Sequence, residues 1–231
     1  MAKDQWSLEE VKRKLLEIKQ MGFIPTARYH NTGIGHTLER LLGLEESNIA
    51  LPDFGNLELK THRLGSTSYI TILTKAPNAV KNRELLERFG YPRKKNSKKV
   101  LHQMVYLDKP NARGFLLRYD SESENLDLYK GDELLGHYSR AQIEGKFKEK
   151  IGDGVILVFA RSRKSKTGAE EFHYVEALIL KGFEFDRYLR CIYYDIRIGR
   201  YPDGRPHDHG SGFRIKRRNL EDAFQVCEKI L

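Results

Sequence analysis

Apolar residues recur at helical spacing in two segments near the start of the chain. Ser7 and Glu10 have the spacing of a capping box, which predicts a helix that begins there and ends at Gly22. Its apolar stripe consists of Val11, Leu15, Leu16 and Ile18. A second helix is predicted after Gly35. The apolar side of that helix consists of Leu38, Leu41 and Leu42.

The rest of the chain alternates between strand-like and helix-like patterns. Strands are predicted at 57–60, 68–74, 101–107, 113–120, 125–130, 133–138, 155–160, 172–180 and 191–198. Helices are predicted at 81–89, 140–149 and 219–230. The first two strands are interpreted as neighbours, and residues 125–138 as a hairpin. Because internal repeats and long low-complexity linkers are absent from the sequence, this alternation favours a compact α/β (α+β) body.

The net charge indicates the kind of partner, because the chain of 231 residues carries a formal net charge of +9. The basic residues cluster at 93–99, 161–166 and 214–218. Clustered Lys and Arg attract phosphates and release counterions on binding, so we expect a nucleic acid as partner. Solvated, flexible loops are the alternative interpretation of the same clusters. A membrane partner is not expected, since no segment is apolar enough to span or anchor.

The two cysteines, Cys191 and Cys227, have no metal-ligand spacing. One falls in a predicted strand and the other in the predicted terminal helix. Two reduced, partly buried thiols are therefore expected. The N-terminal residues lack the apolar run of a signal peptide, which favours a cytoplasmic location.

The most informative stretch is residues 52–60, Pro-Asp-Phe-Gly-Asn-Leu-Glu-Leu-Lys. A strand has a period of two, so Glu58 and Lys60 are expected on one face, with Asp53 turned toward them from the preceding turn. Two carboxylates and an ammonium form a site for Mg²⁺ and a scissile phosphate. The alternative is an ordinary solvated strand edge.

Two further groups bear on this predicted site. Glu39 lies one turn into the second helix and can approach the metal from a third direction, or else face solvent. The Leu59 carbonyl is a candidate metal ligand beside Asp53 and Glu58. The segment Gly33-Ile34-Gly35 is suggestive of a phosphate loop, but the Lys-Ser/Thr ending of such a loop is missing.

Several ordered motifs, running nearly from end to end, resemble the MvaI/BcnI-type restriction endonucleases. They are Asn31–Gly35, Thr37–Glu39, Pro52–His62, Leu73–Pro77, Leu101–Gln103, Tyr194–Gly199 and His207–Ile215. The resemblance implies the PD-(D/E)xK fold of the MutH-like group, a mixed sheet flanked by helices with two lobes around a DNA cleft. It implies one endonuclease domain over 1–231, with lobes near 1–110 for catalysis and 111–231 for recognition.

The resemblance also implies a monomer that cuts each strand of double-stranded DNA in turn at a short CCNGG site. Asp53, Glu58 and Lys60 then match the catalytic triad of the family, and Glu39 its helix-borne acid. Thr74 and Lys75 fall in a DNA-contacting segment. A companion DNA methyltransferase is expected in the same system, but not as a stable subunit.

A CC/GG step offers cytosine amino donors and guanine O6/N7 acceptors in the major groove, so its readers should be a carboxylate and guanidinium groups. Asp195 and Arg197 have the spacing of one strand face, and Arg214 follows. We expect the arginines to contact guanines and Asp195 a cytosine. The alternative is a cross-strand salt bridge.

The loop containing His207, Asp208 and His209 resembles a zinc site only superficially, because no further ligand cluster accompanies it. A DNA contact is expected there. One branch of the family that reads a central C:G pair carries histidines where this chain has Thr74 and Gly212. Their absence favours CCWGG over CCSGG.

The expected reaction is Mg²⁺-dependent hydrolysis, with Mn²⁺ able to substitute, that leaves 5′-phosphate and 3′-hydroxyl ends. Two rivals remain open. A MutH-like strand-nicking repair enzyme shares the carboxylates but depends on a partner. A non-enzymatic DNA-binding protein needs only the basic charge.

Overall fold

The computed structural model describes residues 6–44, 56–78, 80–93 and 98–231. Asp53 therefore lies outside the described residues. The chain divides into two compact units. Unit 1 comprises 1–68, 148–184 and 220–231, and unit 2 comprises 69–147 and 185–219. The chain thus leaves unit 1 after residue 68, returns to it at 148, leaves it again after 184 and returns at 220.

Helices form where the sequence places an apolar stripe or a capping residue. The helices are α1 (Leu8–Gln20), α2 (Gly33–Leu41), α3 (Asn82–Phe89), α4 (Arg140–Ile151), α5 (Phe185–Leu189) and α6 (Leu220–Ala223), with a 3₁₀ turn at Arg217–Asn219. At the start of α1 the Glu10 amide donates to Ser7 Oγ at 3.3 Å, and the Ser7 amide donates to Glu10 Oε2 at 2.7 Å. This reciprocal pair confirms the predicted capping box. No helix in the described part of the chain is long and apolar enough to cross a membrane.

The strands of the described residues are distributed over three sheets. They are β1 (Ile24–Pro25), β2 (Leu57–Arg63), β3 (Ile70–Thr74), β4 (Tyr91–Pro92), β5 (Lys99–Tyr106), β6 (Phe115–Asp120), β7 (Asn125–Lys130), β8 (Glu133–Ser139), β9 (Gly154–Lys164), β10 (Glu170–Phe183), β11 (Tyr193–Arg200), β12 (Pro206–Asp208), β13 (Gly212–Ile215) and β14 (Phe224–Lys229). The predicted hairpin is confirmed as the antiparallel pair β7–β8.

Unit 1 is built on a mixed sheet with the order β1-β10-β9-β2, and β14 also pairs with β10. The pair β2–β9 is parallel and the other pairs are antiparallel. Helices α1 and α2 supply Leu15, Ile18 and Leu38 to an apolar core that also contains Leu59 of β2 and Ile156 of β9. Removing such side chains from water is the main stabilising contribution to this layer.

Unit 2 contains two antiparallel sheets. The larger has the order β3-β13-β11-β5-β4, with β12 also paired to β11, and the smaller is the meander β6-β7-β8. The interpretation of 57–60 and 68–74 as neighbouring strands is wrong, because β2 pairs with β9 whereas β3 pairs with β13. The two strands are close along the chain, but β2 belongs to unit 1 and β3 to unit 2, so each pairs with a strand of its own unit.

The predicted closing helix at 219–230 is also wrong beyond its first turn. Only Leu220–Ala223 is helical, and Phe224–Lys229 forms strand β14. The side chains after Phe224 are mostly exposed, so a helix there would bury little apolar surface. The backbone instead pairs with β10, which satisfies its N–H and C=O groups. Cys227 consequently lies on a strand, and both Cys191 and Cys227 are free thiols of intermediate exposure.

Candidate functional site

Strand β2 carries Glu58 and Lys60 on one face and Leu59 on the other. The Lys60 ammonium donates to Glu58 Oε1 at 3.0 Å. Leu59 packs in the apolar core of unit 1, which fixes the rotation of the strand about its axis. The Glu58 side chain is only 10% exposed. The structure therefore brings these two groups together in a half-desolvated setting, as the two-residue spacing predicts.

A second lysine, which the sequence reasoning missed, also approaches Glu58. Lys150 in the last turn of α4 places its ammonium 3.8 Å from Glu58 Oε1. The Lys150 side chain is 39% exposed, so one side of it is open to solvent. Because α4 leads directly into β9, which pairs with β2, only the tertiary fold brings this lysine to the carboxylate. Sequence spacing alone carries no signal for it.

Glu39 lies on the other side of β2. A Cβ built on Gly35 would lie 3.4 Å from Thr61 Oγ1 and 3.7 Å from Glu39 Oε1. Thr61 shares the face of β2 with Leu59, since the two are separated by two residues. The Glu39 carboxylate thus lies near the α2-facing side of the strand, whereas Glu58 and Lys60 point to the opposite face.

The donor chemistry around Glu58 fits a hard divalent cation. The Glu58 carboxylate, which lies near the Lys60 and Lys150 ammonium groups, offers oxygen ligands of the kind that Mg²⁺ prefers. Among the described residues, no group of three or more His, Cys, Asp and Glu side chains could hold a metal ion. The second expected carboxylate, Asp53, falls outside those residues. The described half of the predicted metal site therefore fits such an ion.

In unit 2, Asp195 accepts contacts from two arginines. Arg197 Nε donates to Asp195 Oδ2 at 2.6 Å, and Arg214 Nε lies 2.8 Å from the same oxygen. Asp195 and Arg197 share a face of β11, while Arg214 on β13 lies opposite Tyr193 and reaches Asp195 diagonally. The salt bridge considered from the sequence is present. Both contacts use Oδ2, so Oδ1 remains for another donor.

The two arginines differ in exposure and in their further contacts. The Arg197 side chain is 51% exposed, whereas that of Arg214 is 10% exposed. Arg214 also donates to the Thr71 hydroxyl and to the Gly210 carbonyl. Burial lowers the pKa of Arg214 from its ordinary value, although the Asp195 carboxylate acts in the opposite direction. Arg197 is accordingly the more accessible of the two guanidinium groups.

The loop with His207, Asp208 and His209 is held by its own hydrogen bonds. Asp208 Oδ1 accepts from the Gly210 amide at 2.9 Å and from the Ser211 amide at 2.6 Å. This carboxylate therefore stabilises the turn at residues 208–211. The rings of His207 and His209 lie with their centroids 4.5 Å apart.

Gly212 and Thr74 occupy paired positions on β13 and β3. A Cβ on Gly212 would lie 2.2 Å from the Leu73 carbonyl oxygen and 2.8 Å from Thr74 Cα. Only glycine therefore fits this backbone spacing. Lys75, which follows Thr74, is held through its backbone. Its amide donates to the Ser211 carbonyl at 3.0 Å, and its carbonyl accepts from the Tyr194 hydroxyl at 2.9 Å.

Comparison with known protein families gives a match over most of the chain. A model of the MvaI/BcnI restriction endonuclease family matches residues 12–224. The chain belongs to this family. As a member of the MvaI/BcnI restriction endonucleases, it is a type II site-specific deoxyribonuclease. A search of curated protein sequences found no match.

Two solved structures extend the family match to the fold. A complex of restriction endonuclease MvaI with its cognate DNA substrate is 27% identical, with a TM-score of 0.84, and the match covers 98% of this chain and 100% of that one. MvaI in the absence of DNA is 26% identical, with a TM-score of 0.56 and full coverage of both chains. The mixed α+β architecture expected from the sequence is thus that of an MvaI/BcnI-type endonuclease.

The paired charges at Asp195 make stability testable. Asp195→Ala leaves the Arg214 guanidinium buried without its carboxylate, so we expect the free energy of unfolding to fall by about 3 kcal/mol. Urea denaturation followed by circular dichroism measures this change. Asp203→Ala is the matched control, because Asp203 pairs with Arg205 on the surface and its loss should change stability little. Equal effects of the two substitutions would contradict the structural role of the buried pair.

Proposed function

We propose that this endonuclease hydrolyses double-stranded DNA at CCNGG sites, with CCWGG preferred, in a Mg²⁺-dependent reaction carried out by a monomer that cuts each strand in turn. The observation that carries the catalytic part is the 3.0 Å contact between Lys60 and the nearly buried Glu58 carboxylate. Support for the DNA partner comes from the formal net charge of +9 and from the likeness to the MvaI–DNA complex.

In the proposed reaction, Asp53, Glu58 and the Leu59 carbonyl would hold the cation, and Mn²⁺ could substitute for Mg²⁺. When bound, the cation supplies positive charge that activates water and stabilises the phosphate oxygens. Lys60 orients the attacking water or offsets the developing charge. The water oxygen bonds to phosphorus as the bond to O3′ breaks, and a proton reaches O3′, so the ends are 5′-phosphate and 3′-hydroxyl.

Two groups assist this arrangement. The Lys150 ammonium lies 3.8 Å from Glu58 Oε1 and helps to orient this carboxylate. Glu39 acts from the α2 side, where its carboxylate can accept a hydrogen bond from a water molecule that coordinates the ion. Its position beside Thr61 makes an outer role better supported than direct contact with Glu58.

For recognition, Arg197 and Arg214 would contact guanines and Asp195 a cytosine. Arg197 uses Nε for Asp195, so its two terminal nitrogens can donate to guanine O6 and N7. The Oδ1 atom of Asp195 can accept from a cytosine amino group. Arg214 would first have to exchange its contacts with Thr71 and Gly210. The loop from His207 to His209, together with Thr74 and Lys75, would contact the same duplex.

The preference for CCWGG is supported by the close backbone approach at Gly212. A side chain there would meet the Leu73 carbonyl, so the histidine of the C:G-reading branch does not fit this backbone. Thr74 lies opposite Gly212, so this chain has neither of the two histidines that the C:G-reading branch carries at these positions.

The catalytic proposal predicts a separation of cleavage from binding. Lys60→Ala or Asp53→Ala should retain specific DNA binding while the single-turnover cleavage rate falls by about 10³-fold, because transition-state charge loses its stabilisation. Binding is measured by fluorescence anisotropy without divalent cations, and cleavage by quenched-flow gel analysis with Mg²⁺. Cleavage at the wild-type rate by either variant would remove the catalytic assignment.

Lys150 gives a second, graded test. Loss of a partly exposed ammonium near Glu58 should slow cleavage by Lys150→Ala about tenfold, since the interaction is worth roughly 1 kcal/mol or slightly more. Lys148→Ala, on the exposed side of the same helix, is the matched control and should cut at the wild-type rate. The Mg²⁺ concentration for half-maximal rate should also shift only for Lys150→Ala, and an unshifted value would point to a purely structural contribution.

Specificity is tested by digesting a set of duplexes that contain each CCNGG sequence and sequencing the ends. Efficient cutting of CCAGG and CCTGG, with slow cutting of CCCGG and CCGGG, is expected. Cutting of CCSGG alone would reject the CCWGG assignment. Double-strand cleavage of plasmid DNA without a partner protein would argue against the strand-nicking repair alternative, and cleavage of any kind excludes a purely DNA-binding role.

A further inference from the structure

A basic pocket lies in unit 2 beside Arg197. The pocket has a volume of about 230 Å³. The polar side chains that line it are Arg93, Lys98, His102, Arg197, Arg200 and His209. None of the described residues that line it is acidic, although Arg197 is paired with Asp195 beside the pocket. Since a water molecule occupies roughly 30 Å³ in the liquid, there is room for a small anionic group with some of its waters.

The large sheet of unit 2 builds this pocket through its register. His102 on β5 lies directly opposite Arg197 on β11. Gly199 leaves space for the loop, because a Cβ there would lie 2.6 Å from His209 Nε2. The Arg93 amide donates to the Lys98 carbonyl at 3.0 Å, which brings two members of the basic 93–99 cluster to the same place. The pocket is thus a feature of the fold and could not be read from the charge cluster alone.

We infer that the basic pocket binds one backbone phosphate of the DNA, next to the base pair that Arg197 contacts, and that His102 and His209 take up protons as the phosphate enters. This inference rests on the proposed function, because its ligand is the DNA of that function. It adds a phosphate site to a region otherwise assigned to base contacts, and it makes DNA affinity dependent on pH.

The polar groups of the pocket favour a phosphate over a base. The arginines and the lysine can only donate hydrogen bonds, and a phosphodiester offers only acceptors. A base edge presents donors as well as acceptors, and the described residues that line the pocket offer those donors no carboxylate. Lys98 donates to the Pro202 carbonyl at 3.4 Å, and Arg200 donates to the Gly204 carbonyl at 2.7 Å. A guanidinium has five N–H donors, so the contact of Arg200 leaves others that can face a phosphate.

The two histidines supply the pH dependence. Desolvation lowers the pKa of His102, and Arg197 and Arg93 lower it further, while Asp195 acts in the opposite direction. Desolvation likewise lowers the pKa of His209, with His207, Arg197 and Arg93 adding to the effect and Asp208 opposing it. Both rings are thus neutral at neutral pH in the free protein. A phosphate would raise both pKa values, so binding takes up protons and strengthens as pH falls.

The test measures binding of a CCWGG duplex and of a scrambled duplex by fluorescence anisotropy, without divalent cations, from about 50 to about 200 mM NaCl. Lys98→Ala and Arg93→Ala should each weaken both duplexes equally and reduce the slope of log affinity against log salt by about one. Lys98→Arg should keep the wild-type slope. Arg83→Ala is the matched control, because Arg83 is paired with Glu87 on the surface of α3.

The pH arm uses the same assay at about pH 6 and about pH 8. Wild-type affinity should rise at least about threefold at the lower pH, and the variant with both His102→Gln and His209→Gln should lose most of that rise. Unchanged salt slopes in the Arg93 and Lys98 variants overturn the phosphate site, and an unchanged pH dependence in the histidine variant overturns the proton uptake. If the wild-type protein cuts CCNGG sites but the variants give these results, only the phosphate-site inference is wrong and the proposed function stands. If the wild-type protein neither binds nor cuts, the proposed function fails with it.

Discussion

The parallel register between β2 and β9 is the constraint on which the candidate active site depends. It seats Leu59 in the apolar core, and the alternation of the strand then directs Glu58 and Lys60 to the opposite face. A slip of one residue would exchange these faces and bury the charged pair. The same register brings the end of α4 beside Glu58, so Lys150 depends on it as well. Apolar packing therefore specifies where the charges meet.

The face of unit 2 proposed for recognition depends on a different kind of interaction, since its carboxylate, Asp195, is buried next to two arginines. Asp195 loses hydration, and the two arginines replace that hydration with charge-assisted contacts. Burying such a charged group costs desolvation free energy, and its contacts then hold it in one orientation. Rigid placement suits the base-reading role proposed for this surface, which depends on hydrogen-bond direction. The half-exposed Arg197 then joins this ordered cluster to the basic pocket beside it.

Local signals in the sequence were reliable where the structure is local. The capping box at Ser7, the hairpin at 125–138 and the shared face of Glu58 and Lys60 follow from spacing alone. Pairings between distant strands were not accessible in this way, and 219–230 was assigned a helix although β10 offered its backbone a partner. Lys150 and the basic pocket were missed for the same reason, because residues far apart in the chain create both. Asp53, the remaining member of the predicted triad, lies outside the described residues.

The tight approach at Gly212 limits how this enzyme could be redesigned. Exchanging one residue for the histidine of the C:G-reading branch would drive a side chain into the Leu73 carbonyl, so β3 and β13 would have to separate first. Under the proposed specificity, changing the preference for the central base pair therefore requires moving two strands. Laboratory evolution should reach it through substitutions that widen the sheet, and only afterwards through the residue that touches DNA.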